Sequence, residues 1–291
     1  MWHRGCHIKN GRMKTPPVTD DALRDLLQVA RDLRDKNGGC PWDLEQTHES
    51  LAKHAIEEAC ELVEIIERGT DPANDSDLKE ELGDVLFQVV IHAQLAAEEG
   101  RFTFADVARA IADKLVTRHP HVYGDLTVGD SKTVLRNWEA IKARERDKRA
   151  ARAGGGRVSY LDGVPKNLAA LQRAARLGEK AARLGFDWPA GEEGLVAVRE
   201  KVTEEFEELR LARSEGIERS EEELGDLLFA LAQYSRLLGI DPEGALRKAC
   251  GKFETRFRLM EQDLSAPLSS GEKLSAKTWN EAWERAKQVQ R

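Results

Sequence analysis

Cysteine is scarce. Cys6, Cys40, Cys60 and Cys250 are scattered over 291 residues and form no C-x-x-C pair. That excludes a disulfide scaffold and a zinc ribbon, and it fits a reduced, cytoplasmic chain. Aromatics make up only 6% of the residues and β-branched runs are few, which disfavours an all-β architecture. No apolar stretch approaches the ~20 residues that cross a bilayer, so no membrane partner is expected. Residues 1–19 carry charges and prolines but no hydrophobic segment, which excludes a signal peptide. They read as a disordered extension, with Met13 competing with Met1 as the natural start. A basic excess is also missing: the net charge of −7 argues against nucleic acid as a partner. G-x-x-x-x-G-K-[ST] is absent, which excludes P-loop chemistry.

What the chain does have is helical periodicity, with 41% hydrophobic and 33% charged residues. Leu23, Leu26, Leu27, Ala30 and Leu33 follow i, i+3, i+4 spacing up to Asn37-Gly38-Gly39, and Cys40-Pro41-Trp42-Asp43 reads as a loop. Further helices are expected over 47–68, from about Asp77 to Glu99, over 103–118 and over 131–149. Gly154-Gly155-Gly156 among basic residues marks 150–163 as a linker. The expected organisation is therefore a domain over 20–149, a linker over 150–163 and a second domain over 164–291, all α-helical.

The two halves repeat one another. Glu57-Glu58-x-x-Glu61 answers Glu204-Glu205-x-x-Glu208. Glu81-Leu82-Gly83-Asp84-Val85-Leu86-Phe87 answers Glu223-Leu224-Gly225-Asp226-Leu227-Leu228-Phe229. Lys114-x-x-x-Arg118 answers Lys252-x-x-x-Arg256, and Trp138-x-x-x-Lys142 answers Trp283-x-x-x-Lys287. Four elements in one order indicate a duplicated domain, each copy too long for a solenoid repeat.

Residues three or four apart share a helix face. Glu205 and Glu208 therefore project together, as do Glu223 and Asp226, and two antiparallel helices would bring the four carboxylates together. One E-E-x-x-E is ordinarily a solvated face in a chain with 52 acidic residues. The paired E-x-x-D and the recurrence of the whole set favour a cation site instead. Oxygen ligands without His or Cys select Mg²⁺, with Mn²⁺ as the alternative. Lys252 and Arg256, one turn apart, are suited to gripping a polyphosphate. A di-iron carboxylate bundle would need two E-x-x-H motifs. Only Glu45-Gln46-Thr47-His48 fits, in a loop-like setting. A non-catalytic regulatory module would lack the basic partners that the second copy has.

This ordered set resembles the MazG nucleotide pyrophosphohydrolases, as do Cys40-Pro41-Trp42-Asp43-Leu44-Glu45-Gln46-Thr47-His48 and Arg118-His119-Pro120-His121-Val122-Tyr123. The resemblance runs from about Leu23 to the C-terminus. It implies two tandem all-α MazG-like helical bundles and a homodimer. It also implies Mg²⁺-dependent conversion of a nucleoside triphosphate and water to the monophosphate and pyrophosphate, in nucleotide-pool house-cleaning or nucleotide-level regulation. A narrower relative acting on dUTP/dCTP or phosphoribosyl-ATP is the alternative enzyme.

Carried over residue by residue, the metal ligands fall on Glu205, Glu208, Glu223 and Asp226, and in the first copy on Glu58, Glu61, Glu81 and Asp84. Nucleotide contacts fall on Lys201, Glu204, Arg219, Lys252, Arg256, Trp283 and Lys287. Glu204 or Glu205 would act as general base. Arg219 stands where relatives often have Lys. The first copy departs further, with His54 matching Lys201 and Asp77 matching Arg219, so the second copy is expected to be the main catalyst.

Overall fold

The computed structural model describes residues 14–69, 71–126, 129–130, 133–134, 137–138, 141, 145, 159–265, 269 and 273–290. Every regular element among them is helical, and none is long and apolar enough to cross a membrane. The chain divides into two compact units, Met1–Arg144 and Glu145–Arg291. The competing starts Met1 and Met13 lie outside the described residues, as do most of the extension over 1–19 and the proposed linker as far as residue 158. Within the described part of the extension, Lys14 pairs with Asp35 at 2.7 Å.

The first unit opens with α1 (Ala22–Leu33), whose first turn is capped by the Asp21 carboxylate accepting from the Arg24 N–H. The helix stops at Leu33, earlier than the Asn-Gly-Gly signal suggested. The turn behind it is tight: Gly39 N–H donates to Asp35 O at 2.7 Å, and a Cβ on Gly39 would lie 2.4 Å from Leu33 O. The segment expected to be a loop at Cys40–Asp43 is in part a short helix, α2 (Pro41–Glu45), with Pro41 at the first position, where its missing N–H costs nothing.

α3 (His48–Glu67) starts at a capping box between Thr47 and Ser50. After a 3₁₀ turn over Pro72–Asn74, α4 (Asp75–Glu98) begins two residues before the expected Asp77. α5 (Phe104–Arg118) is capped by Thr103 with Asp106, and α6 (Pro120–Tyr123) follows. The helix expected over 131–149 lies mostly outside the described residues. Its described positions 133, 134, 137, 138, 141 and 145 are helical.

α3 and α4 form an antiparallel pair. Leu51 packs against Ile91 and Leu95 at one end, and Glu58 and Glu61 meet Glu81 at the other. α1 and α5 pack on α4. Arg34, at the end of α1, is nearly buried and donates through both Nε (2.9 Å) and Nη2 (2.7 Å) to Glu98 of α4, fixing one helix against the other.

The second unit contains α7 (Ala170–Ala182), α8 (Glu192–Ala212), α9 (Ile217–Leu237), α10 (Pro242–Asp263) and α11 (Ala276–Val289). A four-residue connection, 213–216, turns the chain back, so α8 and α9 pack antiparallel over their length. Gly216 in this turn has φ +121°, a conformation open to glycine. α7 packs on α9 and α10. Gln233 secures the first of these contacts: fully buried on α9, it donates to Ala174 O of α7 at 2.8 Å. α10 and α11 enclose a separate small core of Met260, Leu264, Ala282 and Ala286, with Trp279 and Trp283 half-buried against it.

Candidate metal and nucleotide site

The antiparallel α8–α9 pair brings Glu205, Glu208 and Glu223 together, with one carboxylate oxygen of each within 4.8 Å of the others. Glu205 is 5% exposed and Glu223 2%, whereas Glu208 faces solvent. Asp226 stands outside this three-carboxylate set, although its charge still bears on Glu223. Burial pushes the Glu223 carboxyl above its usual range against the opposing pull of Arg219, and Glu208, Glu205 and Asp226 push it further. One oxygen of Glu223, Oε2, is buried without a hydrogen-bond partner. A buried acceptor left unmet is costly, and a cation held jointly by neighbouring carboxylates removes that cost. The donor set is all oxygen, which suits Mg²⁺ or Mn²⁺.

Three of the expected nucleotide contacts, Lys201, Glu204 and Arg219, lie on the two helices that carry this cluster. Lys201 Nζ is 2.7 Å from Glu205 Oε1 and 2.9 Å from Glu204 Oε1, and these two acids hold its ammonium well above the usual range. Arg219 donates to Glu222 and forms an ion pair with Glu223. Both cations therefore face acids here. The remaining expected contacts form a second group on α10 and α11. The Arg256 guanidinium lies 5.5 Å over the Trp283 ring, and its Nε donates to Gln290 at 2.8 Å. Trp283 also packs against Phe253, with ring centroids 5.5 Å apart, and Lys287 pairs with Glu284. Lys252 is exposed on the same helix as Arg256. The described partners of Arg256, Trp283 and Lys287 lie on α10, on α11 or at Gln290, which caps the end of α11.

In the first unit, α3 and α4 place Glu58, Glu61 and Glu81 in the same arrangement, again within 4.8 Å. Asp84 lies outside this set too, though its charge raises both Glu58 and Glu81. Burial is the first cause at each of those two carboxyls, and neighbouring acids add to it. The cations differ from those of the second unit. His54, at the position of Lys201, bonds Glu57 at 2.7 Å. Asp77, at the position of Arg219, pairs with Arg68 at 3.4 Å. A residue that sequence reasoning passed over takes part instead: Gln88 hydrogen-bonds Glu58. Its signal was its place one turn beyond Asp84 on the acidic face, where the second unit has Ala230.

Among the described residues every regular element is helical, and each unit carries three clustered carboxylates on a pair of antiparallel helices, which defines a class of helical protein with an acidic site able to hold a divalent cation. The sequence profile of the MazG nucleotide pyrophosphohydrolase domain matches residues 46–123 and 194–258. The chain is 43% identical over 265 residues to the nucleoside triphosphate pyrophosphohydrolase of Escherichia coli (strain K12), covering 90% of this chain and 95% of that one. It is 44% identical over 265 residues to the nucleoside triphosphate pyrophosphohydrolase/pyrophosphatase MazG of Thermotoga maritima, covering 91% and 95%. The uncharacterized protein YabN of Bacillus subtilis is 40% identical over 281 residues, which span 95% of this chain and 55% of YabN. The chain belongs to the MazG family.

Proposed function

We propose that this chain is a divalent-metal-dependent enzyme that converts a nucleoside triphosphate and water to the monophosphate and pyrophosphate. It works in the cytoplasm as a homodimer, with the second unit as its main catalytic centre. The observation that carries this reading is the buried Glu223, one oxygen unpartnered, beside Glu205 and Glu208.

Glu205, Glu208 and Glu223 would hold the metal, with Asp226 completing the set, and Glu58, Glu61, Glu81 and Asp84 would form the corresponding set in the first unit. When bound, Mg²⁺ supplies charge neutralisation of phosphate oxygens and acidifies water. Glu205 is buried and committed to the cluster, which leaves the half-exposed Glu204 as the general base for the attacking water. The water oxygen bonds to the α-phosphorus as the bond from that phosphorus to the bridging oxygen breaks. Its proton passes to Glu204, and pyrophosphate leaves with its charge met by Lys201, Arg219, Lys252, Arg256 and Lys287. Trp283, with Arg256 over its ring, offers an aromatic surface for the nucleotide. Like units pair across the exposed apolar rows Leu82, Leu86 and Val89 on α4 and Leu224, Leu228 and Leu231 on α9, each row at i, i+4, i+7 spacing.

The test is product analysis with α-labelled triphosphate and Mg²⁺. Monophosphate and pyrophosphate should form in equal amounts, and Glu208→Ala or Asp226→Ala should abolish them without loss of helix by circular dichroism. Orthophosphate as the primary product, or undiminished turnover in EDTA, would sink the reading.

A further inference from the structure

Each of the two buried carboxylates in the second unit's cluster has one cation four residues earlier on its own helix: Lys201 for Glu205 on α8, and Arg219 for Glu223 on α9. The acids are 5% and 2% exposed. The side chains of the cations are 41% and 46% exposed. Two single positive charges thus sit on the carboxylates assigned above to one doubly charged ion.

We propose that Lys201 and Arg219 are exchangeable internal counter-ions. They neutralise Glu205 and Glu223 while the divalent ion is absent and turn to the triphosphate when it binds, so that metal and nucleotide binding are positively coupled. The proposal rests on the assignment of Glu205, Glu208 and Glu223 to the metal.

The physical case has three parts. First, the acids are packed between helices and cannot leave, whereas a half-exposed Lys or Arg tethered one turn away can swing its head outward without moving the backbone. Second, a divalent ion among these oxygens repels an ammonium and a guanidinium held on the same oxygens. A triphosphate is the anion best able to receive both. Third, linkage is reciprocal: if nucleotide draws Lys201 and Arg219 off the acids, it tightens metal binding by the same factor by which metal tightens nucleotide binding. The first unit lacks the device. Its matching residues, His54 and Asp77, bond Glu57 and Arg68 instead.

The experiment uses the full chain carrying Glu61→Ala and Glu81→Ala, so that the first unit's acids do not obscure the signal. Mn²⁺ binding is followed by electron paramagnetic resonance, alone and with an α,β-methylene triphosphate. Without nucleotide, Lys201→Gln and Arg219→Gln should each bind Mn²⁺ about three- to thirtyfold more tightly than this parent, because a competitor has been removed. The mutual tightening of Mn²⁺ and analogue should shrink toward one. Lys201→Arg, which keeps the competing charge, should stay near the parent and shows whether the site tolerates substitution there. Unchanged or weaker Mn²⁺ binding in the Gln variants overturns the proposal. A parent that binds no Mn²⁺, or whose binding survives Glu208→Ala, overturns the metal assignment beneath it, and that outcome is read separately from the effect of the Gln variants.

Discussion

Arg219 pairs with one oxygen of Glu223 from one turn away on the same helix, yet the second oxygen of Glu223 is buried and meets no donor. The guanidinium therefore offsets the charge only in part. Burial and the charges of Glu208, Glu205 and Asp226 still lift the carboxyl above its ordinary value of 4.5. A group that weakens the fold in this way is commonly kept for its function.

The first prediction follows from the sign of that shift. Above pH 4.5 the unfolded chain has lost the Glu223 proton while the folded chain still holds it. In the window from 4.5 up to the raised folded value, stability falls as pH rises, and above that window the cost is fully present. Glu223→Gln removes it. Thermal unfolding of the metal-free protein at pH 7 should shift to higher temperature in this variant, with a flatter dependence on pH above 4.5. Its kcat/KM should fall by about 10²–10³. A variant that is both less stable and fully active would contradict both halves.

The second prediction concerns Arg256 over Trp283. Arg256→Ala should raise KM for the triphosphate by about tenfold, as expected for loss of a charge-assisted hydrogen bond of ~1.5 kcal/mol. Because the cation–π contact in a half-exposed setting contributes only ~0.5–1 kcal/mol, the melting temperature should move little. Arg256→Lys should lie between, since an ammonium keeps the charge but loses the planar fork. Steady-state kinetics beside a thermal melt separates the two effects.

A third prediction divides labour between the units. His54 and Asp77 leave the first unit without the cations that Lys201 and Arg219 supply. In the full chain, Glu208→Ala should lower kcat/KM by about 100-fold or more, and Glu61→Ala by no more than about threefold. The opposite ranking would make the first unit the catalyst.

Packing around Gln233 gives a fourth. A Cβ on Gly178 of α7 would lie 1.7 Å from Gln233 Oε1, the oxygen that accepts from Arg236 Nε at 2.9 Å. Gly178→Ala should destabilise by ~2–3 kcal/mol, because the amide must give up its place and its bonds. Gly251→Ala on α10 meets nothing within 4 Å and should gain up to ~1 kcal/mol from helix propensity. Chemical denaturation of the two variants should move in opposite directions.

Assembly provides the fifth. Leu224, Leu228 and Leu231 form an exposed row on α9. Replacing Leu224 and Leu228 with Glu should convert a dimeric mass to a monomeric one by light scattering at micromolar concentration. A monomeric mass in the unsubstituted chain would remove the case for pairing.

The sequence by itself determined the helices, the duplication and the identity of the acids. Thr47 with Ser50 and Thr103 with Asp106 start α3 and α5 through hydrogen bonds three residues apart, and i, i+3, i+4 spacing places Glu205 with Glu208 on one face. These are local relations, set by the helical repeat. The tertiary structure decided the rest. It selected three carboxylates for the close set and left Asp226 and Asp84 outside. It buried Glu205 and Glu223 but exposed Glu208, turned Lys201 and Arg219 onto the acids, and placed Gln88 against Glu58. It also made Pro41–Glu45 a helix where the sequence read as a loop. Helical phase fixes the direction in which a side chain leaves its own helix. How deeply that side chain is buried, and which charge it meets, depends on the neighbouring helix, whose distance and rotation come from packing between residues far apart in the chain.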